Sequence, residues 1–142
     1  MSMQVADLMN PRVITVEMDD SLLTAKSLME KASIHHLPVI DSRRRVVGIV
    51  SDRDLLRAMS PFMDTAAENN RDLAVMRKLI HQIMTRHSRT IESDAPLDKA
   101  ALIMLDSNIS SLPIISENGE LIGIITWKDL VAHCAKSYFE QN

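Results

Sequence analysis

The chain has 142 residues, 46% apolar and 25% charged, which is enough apolar material for a real core and too much for a disordered chain. Its net charge of −3 is spread without a basic face: residues 1–58 hold eight basic and eight acidic groups, 59–79 three of each, and 80–142 five against eight. That balance excludes a grip on nucleic-acid phosphates as the main role. One cysteine, Cys134, excludes an internal disulfide and fits a reducing compartment. No apolar run reaches the ~18 residues of a membrane span. The first seven residues lack the basic start and apolar centre of a secretion signal. A cytoplasmic protein with no membrane segment is the expectation.

In chain order, Val13-Ile14-Thr15-Val16 is β-branched and predicts a short strand. Asp19 then serves as N-cap to a helix whose Leu22, Ala25, Leu28, Met29 and Ala32 share one face. Leu37-Pro38-Val39-Ile40 predicts a strand entered through a proline, as at an edge or a strand start. A polar turn from Asp41 to Arg44 leads to the strand Val46–Val50, and a second helix starts at Ser51. Ser60-Pro61 marks a new helix start, Asn69-Asn70 a break in it, and Leu73, Met76, Leu79, Ile80 and Ile83 recur at helical spacing. The series then repeats. Asp94 caps a helix with Pro96 in its first turn, Leu112-Pro113 opens a strand, Glu117-Asn118-Gly119 makes the turn, and a final helix starts at Thr126.

A shift of 75 positions lays the chain on itself without a gap: Met9 on Met84 (9 + 75), Thr15 on Thr90, Leu22 on Leu97, Met29 on Met104, Leu37-Pro38 on Leu112-Pro113, Gly48-Ile49 on Gly123-Ile124 and Asp54-Leu55 on Asp129-Leu130. One register held that long is a tandem duplication. The predicted fold class is α/β (α+β), with two β-α-β-β-α repeats: 1–58, a helical connector 59–79, and 80–142. Each copy is small enough to be marginal alone.

The repeat resembles the cystathionine-β-synthase (CBS) domain family over essentially the whole chain. The resemblance rests on the Met9–Thr15 and Met84–Thr90 lead-ins. It rests equally on Ile34-His35-His36-Leu37-Pro38-Val39 with Ile109-Ser110-Ser111-Leu112-Pro113-Ile114, and on Gly48-Ile49-Val50-Ser51-Asp52-Arg53-Asp54 with Gly123-Ile124-Ile125-Thr126-Trp127-Lys128-Asp129. The chain is also loosely similar to free-standing bacterial CBS-pair proteins, including the acetoin-utilisation type. The resemblance implies a pseudo-twofold, Bateman-type module with two clefts. One cleft would join Ile34, His35, His36 and Pro38 to Thr126, Lys128 and Asp129. The other would join Ile109, Ser110, Ser111 and Pro113 to Ser51, Arg53 and Asp54, with Thr15 and Thr90 contributing from the first strands. It also implies a non-enzymatic energy or metabolite sensor that binds an adenine nucleotide as regulatory ligand. AMP is the first choice, ADP, ATP or S-adenosylmethionine the alternatives, and the regulated partner is unidentified. A twofold homodimer is implied as well, through apolar helix faces carrying Leu22, Leu28, Met29 and Leu55.

The residue chemistry agrees with that implication. Asp54 and Asp129 can accept hydrogen bonds from ribose hydroxyls. The first turn of a helix suits anionic oxygens. Arg53, Lys128, His35 and His36 suit phosphate, and Ile34 and Ile109 can flank a flat base. Protonation of His35 and His36 predicts one class of site that tightens between neutral pH and about pH 6.

Other readings compete. Ser51-x-x-Asp54 and Thr126-x-x-Asp129 are also helix-capping signatures, and a carboxylate turned to its own backbone is less available to ribose. Gly48 and Gly123 mark a bulge or the close approach of another backbone. Arg43-Arg44-Arg45 reads as a solvated turn, and Cys134, on a helical face with Trp127, Leu130, Val131 and Tyr138, as a small core residue. Adjacent histidines on a strand point apart and no zinc spacing exists, so no metal site is expected. No catalytic set stands in a recognisable context. The alternative function is a structural or dimerisation protein with vestigial clefts.

Overall fold

The computed structural model describes residues 3–59 and 74–141. The expected Ser60-Pro61 helix start, the Asn69-Asn70 break and Leu73 lie outside them. The chain divides into two compact units, one made of Ile14–Ser88 and the other of Met1–Val13 with Arg89–Asn142.

In the unit of residues 14–88, α1 runs over Leu22–Ala32, β1 over His36–Ile40, β2 over Val46–Ser51 and α2 over Asp52–Met59, and β3 is the pair Thr85–Arg86. The sheet order is β1-β2-β3, antiparallel throughout. Val16 bridges Val39 in parallel at the free edge of β1, so the expected first strand is reduced to one bridging residue. Proline is tolerated in β1 because it accepts there rather than donates: the Pro38 carbonyl takes the Val16 N–H at 3.1 Å. Leu22, Ala25 and Met29 on α1 pack with Leu37, Val39, Val50 and Leu55 in a core closed by Met76, Ile80 and Met84.

The other unit repeats this plan. Its elements are β4 (Ile91–Glu92), α3 (Leu97–Ser107), β5 (Ser111–Ile115), β6 (Leu121–Thr126) and α4 (Trp127–Gln141). The sheet order is β4-β5-β6, with β4 parallel and β6 antiparallel to β5. Val5, Ile91, Ala100, Met104, Leu112, Ile114 and Ile125 form the core.

Two helix starts differ from expectation. Ser21, not Asp19, caps α1, its hydroxyl accepting the Thr24 N–H at 3.2 Å, while Asp20 accepts the Glu17 N–H in the turn before it. Pro96 occupies the N-cap of α3, without a side-chain cap, in place of Asp94. Both first helices end in a left-handed residue, Ser33 at φ 53° and Asn108 at φ 52°, which turns the chain sharply into the following strand.

Packing units and sequence repeats are different divisions of the chain. The lead-in of each repeat closes the unit that holds the other repeat's hairpin. Met84-Thr85 lies over Gly48, and Met9-Asn10 lies over Gly123. A Cβ at Gly48 would meet the Thr85 carbonyl oxygen at 2.7 Å, and one at Gly123 the Met9 sulfur at 2.6 Å, which is the close approach expected of both glycines. Ile80 and Val5, equivalent at the 75-residue shift (5 + 75), are both fully buried at the head of these lead-ins. The unit boundaries consequently fall at 13/14 and 88/89, whereas the sequence repeat predicts divisions at 58 and 80.

Candidate functional site

Each unit gathers its expected site residues where a strand ends and a helix starts. In the unit of residues 14–88, β1 and β2 pair so that His36 lies opposite Ser51. The α1–β1 turn is tied to the next helix by the Asp52 N–H, which donates to the His35 carbonyl at 3.0 Å. The His35 ring adds a second link, its Nδ1 lying 3.1 Å from an Asp52 carboxylate oxygen. Ser51 and Asp54 form a reciprocal cap: the Ser51 N–H donates to Asp54 Oδ2 at 2.8 Å and the Asp54 N–H to Ser51 Oγ at 3.2 Å. Arg57 is a distant partner to the other oxygen of Asp54, at 3.9 Å. Ile34 is half-buried against the core, Pro38 is buried, Thr15 is half-buried and Arg53 is exposed.

The other unit builds the same junction from different side chains. Ser111 lies opposite Thr126, and the Trp127 N–H donates to the Ser110 carbonyl at 3.0 Å. Asp129 Oδ2 accepts the Thr126 N–H at 2.8 Å and the Thr126 hydroxyl at 3.2 Å. Ile109, Ser110 and Thr90 are half-buried, Ser111 and Pro113 are buried, and Lys128 is exposed. Ser110-Ser111 stands where the first unit has His35-His36, and Trp127 where it has Asp52 (52 + 75).

Both caps engage Oδ2, so capping occupies one oxygen of each aspartate. The geometry thus presents a carboxylate, a hydroxyl and the first turn of a helix, next to a turn that carries donors. That set can receive a polar ligand with vicinal hydroxyls and an anionic group.

Burial pushes the His36 imidazole below the ordinary histidine range, against the raising effect of the Asp52 and Asp54 carboxylates; the neighbouring His35 and Arg53 lower it further. His36 therefore gains less charge between neutral pH and about pH 6 than expected from an unperturbed ring. Two other expectations are corrected. Cys134 is exposed, not a core residue, because the face of α4 that carries Trp127, Val131 and Tyr138 is itself exposed. Leu22, Met29 and Leu55, expected on an outer face, are buried in the core, and Leu28 is partly buried against it. Among the described residues no three His, Cys, Asp or Glu side chains come together as a metal site would require, and no helix is long and apolar enough to cross a membrane.

Sequence reasoning missed Asp52, which clasps His35, and Arg89, whose guanidinium donates to the Ser107 hydroxyl at the end of α3 at 3.3 Å. Neither repeats in the other copy, so the duplication, which exposed the other residues, could not expose these.

Comparison with known proteins agrees with this geometry. A family model for the CBS domain matches residues 5–61 and again 80–136. A CBS domain-containing protein of Dictyostelium discoideum is 37% identical over 134 residues, covering 92% of this chain and 90% of that protein. The CBS domain pair of protein MJ0100, solved with 5′-methylthioadenosine and S-adenosyl-L-methionine, superposes with a TM-score of 0.81 at 28% identity, covering 96% of this chain and 99% of that one. CBSX2 from Arabidopsis thaliana, solved with AMP, gives a TM-score of 0.78 at 28% identity, with 95% and 98% covered. In several further relatives the match spans only 21% to 23% of a longer enzyme. With two matched copies, the repeated junction and these likenesses, the chain belongs to the CBS domain family as a tandem pair.

Proposed function

We propose that this chain is a regulatory module that binds an adenosyl ligand at the paired turns and acts as a binding protein rather than a catalyst. The observation that carries the reading is the repeated junction: Ser51 with Asp54 and Thr126 with Asp129 present the same hydroxyl and carboxylate at a helix start, each beside a donor-bearing turn. The ligands solved with MJ0100 and CBSX2, both similar at 28% identity, support an adenosyl class and favour AMP and S-adenosylmethionine as the first to test. In the assignment that the family resemblance implies, ligand contacts come from Ile34, His35, His36 and Pro38, from Ile109, Ser110, Ser111 and Pro113, and from the helix starts at Ser51, Arg53 and Asp54 and at Thr126, Lys128 and Asp129, with Thr15 and Thr90 on the first strands. A ligand that favours one arrangement of the module shifts its population, which a regulated partner can read.

Calorimetric titration with AMP, ATP and S-adenosylmethionine tests the reading. Asp54→Asn with Asp129→Asn is the informative variant, because an amide oxygen can still accept the cap bond whereas the charge that favours two ribose hydroxyls is gone. We expect at least one of the three ligands to bind the wild type and the double variant to lose about tenfold or more in affinity, the worth of a charge-assisted hydrogen bond. Unchanged affinity in the double variant sinks the ribose assignment. No binding of any of the three sinks the adenosyl reading and leaves the structural alternative.

The proposal includes self-association as a homodimer. Leu102, Leu105, Trp127, Val131, Tyr138 and Phe139 are exposed on α3 and α4, which favours an interface there.

A further inference from the structure

The two units place their positive charge differently. In the unit of residues 14–88 the α1–β1 turn carries His35 and His36, and the residue two before the bridging Val16 is the apolar Ile14. In the other unit the corresponding turn carries Ser110 and Ser111, and the residue two before Ile91 is Arg89 (14 + 75). Strand β4 runs parallel to β5 with Ile91 opposite Ile114, so the chain before Ile91 lies on the side where β5 begins at Ser111. The guanidinium is anchored there, since Arg89 Nη1 donates to Ser107 Oγ at 3.3 Å. Ser107 is the last residue of α3, and the left-handed Asn108 turns the chain from it into Ile109-Ser110-Ser111. A cation and two serines are thus gathered at one end of one sheet.

We infer that Arg89 is the anion-binding residue of this unit, taking the phosphate of a nucleoside monophosphate in place of the histidines that occupy the α1–β1 turn of the other unit. An Arg guanidinium has five donors and a permanent charge, so the bond to Ser107 leaves donor capacity for a phosphate or carboxylate. The bland role, a cation that complements the C-terminal end of α3, uses the same position and would stabilise the helix alone. The two roles separate by ligand. A merely structural arginine does not distinguish a nucleoside from its phosphate.

This inference rests on the adenosyl reading above, and the test keeps the two apart. Adenosine and AMP are titrated calorimetrically against the wild type, Arg89→Gln and Arg89→Lys. We expect Arg89→Gln to weaken one class of AMP site by about tenfold while adenosine affinity is unchanged, and Arg89→Lys to recover much of the loss. Equal weakening for adenosine and AMP, or no change for either, overturns the arginine assignment and leaves the adenosyl reading standing. Failure of the wild type to bind AMP overturns the arginine assignment, and the adenosyl reading falls with it only if ATP and S-adenosylmethionine fail to bind as well.

Discussion

His36 shows how a single residue can have its identity legible in sequence and its behaviour hidden. The pair His35-His36 stood out as donors beside a strand start, and there they lie, His35 in the turn and His36 as the first residue of β1. What the sequence withheld is that only one is desolvated: His35 is exposed and clasped to Asp52, whereas burial lowers His36. That depends on the register of β1 against β2, a tertiary fact. The lowered value has a consequence for stability. The unfolded chain, with an ordinary imidazole near ~6.5, takes up a proton before the folded one does. Stability from keeping His36 neutral is therefore fully present above that range and is lost as pH falls through it toward the lower folded value. Thermal melts between pH 7.5 and pH 5.5 should fall toward acid, and His36→Gln should flatten that slope. An equal slope in the variant would place the acid sensitivity elsewhere.

At the scale of elements, the period-2 and period-3.6 patterns located both central hairpins and all four described helices, because those segments bury one face against a core. The strands that went unseen are short and lean on partners distant in the chain. Thr85–Arg86 is a strand only because it pairs with Gly48 and Ile49, and nothing in its own sequence says so. Gly48 was the available clue, since a missing side chain in an apolar strand marks a neighbour pressing close. The two glycines are not equally constrained. An added Cβ at Gly48 meets a backbone oxygen, Thr85 O at 2.7 Å, as well as Met84 Sδ at 2.9 Å. At Gly123 the nearest atom is the far end of the Met9 side chain at 2.6 Å, which can move, and the backbone oxygen of Asn10 stands back at 3.2 Å. Gly48→Ala should therefore destabilise by about 1–3 kcal/mol, the usual range for an overpacked core, and Gly123→Ala by less. Urea unfolding of the two variants checks the order; equal losses would mean that β3 yields as easily as a methionine side chain.

For the whole molecule, the duplication revealed two copies but not how the chain is shared between them, since a repeat read along the sequence assigns each lead-in to the copy that follows it. Packing assigns Val5 and Met9 to the unit of residues 89–142, and Ile80 and Met84 to that of residues 14–88. The residues expected on an association surface were misplaced for a related reason: helical spacing marks an apolar stripe without saying whether the core or solvent receives it. Leu22, Met29 and Leu55 went to the core; Leu23 on α1 and Leu56 on α2 stay outside, and so does a larger group on α3 and α4. On α3, Leu102 and Leu105 remain 57% and 76% exposed, and on α4 Trp127, Val131 and Phe139 remain 50%, 55% and 76% exposed. Scattered exposed leucines are ordinary, but five large apolar side chains exposed on two successive helices of one unit favour association there. A twofold axis lets one such patch cover its own copy, with every contact made twice. Light scattering at micromolar concentration should give about twice the 16.0 kDa chain mass. Leu105→Glu with Val131→Glu should return it to the mass of one chain without lowering the melting temperature by more than the loss of the partner accounts for, because neither side chain supports the core. A wild type that scatters as a single chain, or a double variant that still pairs, would rule these helices out as the interface.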